Sequence, residues 1–136
     1  MIFKLPQYAN QYSILPDKLK RVCELFEKLS LQHQINPVVT RVSDPVQFES
    51  GVHPVHRAVD FRNQYYDGTV NRWLYPQEVV DQIVNSINLA YPRDDGRVTC
   101  LHHSFLGGEF HFHLQIRYSD VTEDEKKRLY GNDDLN

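Results

Sequence analysis

Apolar residues recur along this chain with two different periods, and the switches between them mark its elements. After Pro16-Asp17, the residues Leu19, Val22, Leu25, Phe26 and Leu29 fall three or four apart, which places them on one stripe of a helix running to about residue 34. A second stripe, Val79, Val80, Ile83, Val84 and Ile87, follows Pro76 and stops near Tyr91-Pro92, as expected of a helix with proline in its first turn. Between these stripes, Val38, Val39, Thr40 and Val42 predict a short strand over 37–42, interrupted by Ser43-Asp44-Pro45. Residues 58–62 predict another strand, and the aromatic stretch after it, with its Asp67-Gly68 turn signal, reads as an ordered excursion. Two further strands over 97–104 and 109–118, joined through Gly107-Gly108, predict a hairpin. Thr122 and Glu125 have capping-box spacing for a short C-terminal helix. Residues 1–15 read as an irregular arm and 131–136 as a fraying tail. This order predicts an α+β domain, a mainly antiparallel sheet with helices packed on one face and the other face open to carry a site.

Composition narrows the possibilities. A chain of 136 residues with 40% hydrophobic and 24% charged positions fits one domain over 1–136 with its own core, calling for neither disorder nor a disulfide-dependent mini-fold. A net charge of -3 and a pI of 6.1 provide no broad positive field, which argues against nucleic acid as the main ligand and favours a small or peptide-like substrate. Cys23 and Cys100 lack paired CxxC spacing and read as free, buried thiols. The N-terminal stretch has no signal-peptide pattern, and no window approaches the roughly 20 apolar residues of a membrane span. The expected location is therefore cytoplasmic on synthesis, with any passage to a cell wall depending on another factor.

Candidate chemistry lies in the last hairpin and in one earlier segment. Alternation sends Glu109, His111, His113, Gln115 and Arg117 to one face, while Phe110, Phe112, Leu114, Ile116 and Tyr118 form an apolar face that belongs to the core. Neighbours on the polar strip are roughly 7 Å apart, so two imidazoles can converge as two ligands, or as one ligand and one nearby acid or base. In the segment HPVHRAVDF, Ala58 and Asp60 share a face, and the loop at 54–56 can fold His53 back beside Asp60. Two imidazoles and a carboxylate form a mixed nitrogen and oxygen set that suits one zinc ion better than calcium or magnesium, with a fourth position left for water.

At these residues the sequence resembles the zinc peptidases of the peptidoglycan D,D-carboxypeptidase and L-alanyl-D-glutamate endopeptidase group, and the related hedgehog signalling domain. The shared pattern is HxxGxAxD followed by a strand bearing a zinc-binding histidine. The resemblance implies His53, Asp60 and His113 as metal ligands and His111 as an acid, base or transition-state stabiliser beside them. It also implies the hedgehog and D,D-peptidase fold, and a metallopeptidase that hydrolyses an amide in a cell-wall peptide, as a phage lysis enzyme would. The alternative is a non-catalytic zinc-binding domain of the same fold, serving as a binding or virion accessory protein. Three positions depart from the family pattern. His56 stands where the family has glycine, Gly51 replaces a serine before the first ligand, and Glu109 lies four residues before His113 rather than three.

The remaining candidates follow from position. Glu109 shares the face of the histidines and is the first choice for general base, with His111 sharing or taking over the role. Arg57 could hold a substrate carboxylate with its planar fork, although its place opposite Asp60 also suits a structural ion pair. Gln115 supports the site from the same strip. His103, across the hairpin, is placed to orient a ligand, and His56 acquires a role by replacing the glycine.

Overall fold

The computed structural model describes residues 1–42, 56–104 and 107–131. Its central feature is a five-stranded sheet in the order β1-β2-β3-β7-β6, built from β1 (Ile2–Phe3), β2 (Val38–Arg41), β3 (Ala58–Arg62), β7 (His111–Gln115) and β6 (Cys100–His103). The pair β1 and β2 is parallel and the other three pairings are antiparallel, so the sheet is mixed. A separate two-stranded hairpin joins β4 (Gln64–Tyr66) to β5 (Asn71–Trp73) through Asp67-Gly68, where Gly68 takes a φ of +98°. This is the form the aromatic excursion takes. Asp67 Oδ1 accepts the Thr69 and Val70 N–H groups, which stops the chain from extending through the turn.

Four helices occur among the described residues: α1 (Pro6–Ser13), α2 (Asp17–Gln32), α3 (Gln77–Ala90) and α4 (Glu123–Tyr130). The fold is α+β, as the order of periodic segments predicts. Helix α1 is the departure, because the N-terminal arm expected to be irregular forms a short strand and a helix. Helix α1 contains no fully buried residue, and its core side is only Tyr8 and Tyr12, one turn apart, too short a stripe for a pattern to reveal. Its support comes from those two rings, from Pro6 in the first turn and from the chain end beside it, where Ile2 N–H donates to the Pro37 carbonyl and Lys4 N–H to the Val39 carbonyl.

The predicted stripes of α2 and α3 enclose one core with the sheet. Leu19, Val22, Cys23, Phe26, Val80, Ile83 and Ile87 are buried with Val39, Phe61, Phe112 and Leu114. Phe26 sits at its centre, with ring centroids 4.4 Å from Phe61 and 4.9 Å from Phe112. Such pairs add to the area they bury. Both cysteines are free and buried. Two residues of the expected apolar face of β7 lie outside this core. Phe110 and Tyr118 are exposed because the β7 ladder begins at His111 and ends at Gln115, short of both. Phe110 instead stacks against His102 at 5.4 Å. No helix among the described residues is long and apolar enough to cross a membrane.

Candidate metal centre

The antiparallel register between β3 and β7 makes Asp60 the partner of His113 and Arg62 the partner of His111. On the other side of β7, Leu101 opposes His113 and His103 opposes His111. Directly opposed residues share a face. Asp60, Arg62, His103, His111, His113 and Gln115 therefore project from the face that turns away from Phe61, Phe112 and the helices.

The centre of this strip is a buried pair. His113 Nδ1 lies 2.8 Å from Asp60 Oδ1, with His113 at 4% and Asp60 at 5% exposure. The partners of His113 decide what this contact means. Gln115 Nε2 donates to the Val98 carbonyl at 3.0 Å, which fixes the amide orientation and leaves Gln115 Oε1 facing His113 Nε2 at 3.1 Å. An amide oxygen accepts only, so His113 must carry a hydrogen on Nε2. In a neutral imidazole, Nδ1 is then a bare lone pair directed at a carboxylate. Two acceptors at that separation need a positive centre to hold them, either a second ring proton or a metal ion. The donor set present fits a metal.

His111 is prepared in the complementary way. Its Nδ1 lies 3.2 Å from the Glu109 carbonyl, which can only accept, so the hydrogen sits on Nδ1 and Nε2 is free to ligate or take a proton. That Nε2 is 3.7 Å from Asp60 Oδ2. His103 completes the group, its ring 4.8 Å from that of His111 and 5.5 Å from that of His113. Burial, then the fields of His111 and His113, hold His103 below the ordinary imidazole range against the opposing pull of Asp60. One nitrogen from each of His103, His111 and His113 lies within 4.8 Å of the others, and this cluster could hold a metal ion.

Other expected site residues fall at different places. His53 lies outside the described residues. Glu109 is exposed and lines a cavity of about 230 Å³ together with Arg62 and His111. Arg57 precedes β3 at the end away from Arg62, where its Nη1 donates to the Ile116 carbonyl at 3.3 Å and its guanidinium lies 6.0 Å from the Tyr118 ring. Its partner there is a carbonyl rather than a carboxylate. His56 has a φ of +57°, in the left-handed region that favours glycine, and burial holds its imidazole below the ordinary range. His102 turns toward the core side, accepting at Nε2 from Asn63 Nδ2 at 2.8 Å while Asn63 Oδ1 takes the Tyr75 N–H.

Two contributors were not singled out from sequence. Arg62 could have been, because alternation from Asp60 puts it on the same face. Lys4 could not, because it reaches the site only through the parallel pairing of β1 with β2. Compared with protein-family models, with curated proteins and with solved structures, the chain matches none.

Proposed function

We propose that this chain is a zinc-dependent peptidase of the hedgehog and D,D-peptidase type, hydrolysing an amide bond in a cell-wall peptide. The observation that carries this reading is the buried Asp60 Oδ1 to His113 Nδ1 contact at 2.8 Å, a pair that a metal ion or a second ring proton would hold together, beside the further nitrogens of His103 and His111. Two further features support it. The site lies on the sheet face opposite the helices, and His56 keeps a left-handed backbone where the resembling family has glycine. Asp60 and His113, together with His53, would hold the ion. Zinc at such a site supplies a Lewis acid for the amide carbonyl and lowers the pKa of a bound water to about 7.

The side chains supply the rest. Gln115 keeps the hydrogen of His113 on Nε2 and so keeps Nδ1 available. His111 Nε2, 3.7 Å from Asp60 Oδ2, is placed to move a proton or to stabilise charge growing on the carbonyl oxygen. Glu109, in the cavity next to His111, can carry a proton to the departing amine. Hydrolysis adds one water across the C–N bond: the acyl carbon takes the hydroxyl and the nitrogen takes the hydrogen.

A second reading has its own observation. His103 and His111 bring two further nitrogens within 4.8 Å of one from His113, so these three imidazoles could hold an ion by themselves, and a shell filled by protein ligands is structural. Metal content and mass-spectrometric detection of stem-peptide cleavage separate the two. For a peptidase, zinc-loaded wild type cleaves, Asp60→Ala loses both metal and turnover, and His111→Ala keeps the metal while losing roughly 10²- to 10⁴-fold in rate. For a closed binding centre, His111→Ala loses metal and nothing cleaves. A wild-type protein that takes up no divalent metal overturns both.

A further inference from the structure

The β4-β5 hairpin and the residue before β7 bring a second group of side chains together, on the side of the sheet away from the histidine cluster. Trp73, Phe110 and Tyr66 are 52%, 38% and 60% exposed. The Trp73 and Phe110 rings lie 5.8 Å apart, and the His102 imidazole stacks on Phe110 at 5.4 Å and sits 6.4 Å from Trp73. We propose that this aromatic surface binds a neutral oligosaccharide, whose C–H faces stack on the rings while its oxygens take hydrogen bonds from the donors beside them.

The register builds the surface. His102 precedes His103 in β6, so the two imidazoles leave the sheet on opposite faces. In the hairpin, Tyr66 opposes Asn71 and Gln64 opposes Trp73, which puts Tyr66, Asn71 and Trp73 on one side and Tyr65 and Arg72 on the other. A chain of hydrogen bonds then sets the donors. Asn63 Oδ1 accepts the Tyr75 N–H at 2.7 Å, so the Asn63 amide nitrogen is the group 2.8 Å from His102 Nε2. An amide nitrogen donates only, so Nε2 accepts and His102 keeps its hydrogen on Nδ1. That N–H, the indole N–H of Trp73 and the exposed Asn71 amide are suited to hydroxyl and carbonyl oxygens.

Charge and area select the occupant. Tyr66, Asn71, Trp73 and Phe110 are uncharged, and Arg72 lies on the far side of the hairpin, paired with Asp67. A single-stranded nucleic acid also stacks on aromatic rings, but it needs a cationic groove for its phosphates. A second protein needs more surface. An aromatic side chain offers roughly 150–250 Å² in all, so three rings about half exposed present only a few hundred Å². A stable protein interface takes roughly 800 Å² from each partner.

Trp73 is the one tryptophan of the chain, so intrinsic tryptophan emission reports on this surface alone. Titration with the β-1,4-linked tetramers of N-acetylglucosamine and of glucose should give a saturable change in that emission for at least one of them, with a Kd of about 1 mM or tighter. The better of the two shows whether an acetamido group is read. By calorimetry, Trp73→Ala should weaken binding at least about tenfold, Trp73→Phe should keep most of it, and added zinc should leave it unchanged. Tyr66→Ala, at a still more exposed position, should weaken it less than Trp73→Ala. No saturable response to either sugar overturns the proposal, as does binding that survives both alanine substitutions. Tighter binding of a single-stranded oligonucleotide, or a wild-type dimer in sedimentation that Trp73→Ala dissolves, assigns the surface to another occupant and overturns it too. Cleavage of stem peptides tests the other face of the sheet, so the peptidase reading stands or falls separately.

Discussion

Gln115 settles which nitrogen of His113 carries a hydrogen, and the availability of Nδ1 follows from that single constraint. Gln115→Met keeps the volume but removes the acceptor. Zinc affinity measured by competition with a chromogenic chelator should fall roughly 10- to 100-fold, the usual loss when the partner of a ligating histidine is removed. An unchanged affinity would mean that His113 is oriented by something else. At this scale much of the site was legible. Period-two alternation alone put His111, His113 and Gln115 on one face, and Ala58 and Asp60 on one face of an earlier strand. What alternation could not give was the alignment between strands. His103 joins the cluster only because β6 pairs with β7 so that His103 faces His111, a property of two segments whose connecting turn sets the register.

Between elements, the chain makes two local choices with measurable consequences. Helix α2 ends in a Schellman arrangement: Ile35 N–H reaches the Ser30 carbonyl and Gln34 N–H the Leu31 carbonyl, with Gln34 at a φ of +59°. Glutamine pays a steric penalty there that glycine avoids, so Gln34→Gly should stabilise the protein by about 0.5–1 kcal/mol in urea denaturation. The second choice is Glu125. Its Oε1 accepts the Thr122 N–H, closing the capping box of α4, while its Oε2 accepts the Asp17 N–H at the start of α2. Burial alone would raise its pKa, but the amides of Asp17 and Thr122 and the Thr122 hydroxyl outweigh it and hold the carboxyl below the ordinary range. A depressed folded pKa means that the stabilisation is complete above the unfolded value of about 4.3 and is lost as pH falls below that value and through the lower folded one. Glu125→Gln should therefore be less stable than wild type at pH 7, by about 1 kcal/mol, yet lose less on acidification from about pH 5 to pH 3. A parallel loss in both proteins would assign the acid sensitivity elsewhere. The capping box was visible as Thr122 and Glu125 in the sequence; its second contact, 108 residues away in α2, was not.

For the whole molecule, the core beneath the sheet is complete without the site. Phe26, Phe61, Phe112 and Tyr75 pack together on the helical side, and the histidines occupy the opposite face. Chelation should therefore lower the melting temperature without abolishing the fold. With zinc at about 100 times its dissociation constant, the linkage amounts to about 2.7 kcal/mol, or on the order of 10 °C by calorimetry. Loss of the cooperative transition on chelation would show instead that the metal is part of the core. The α+β layout was readable because α2, α3 and the two site strands carry strong periodic patterns. The β1 pairing was hidden in two residues and a distant backbone. One consequence reaches back to how the molecule assembles. Asp60 and His113 are direct partners across β3 and β7, and sliding one strand by a single residue would turn the imidazoles inward against Phe26 and the benzyl groups out to water. A mispaired chain could not capture the ion, so metal uptake would act as a proofreading step, retaining only those molecules whose two central strands have met in the correct alignment.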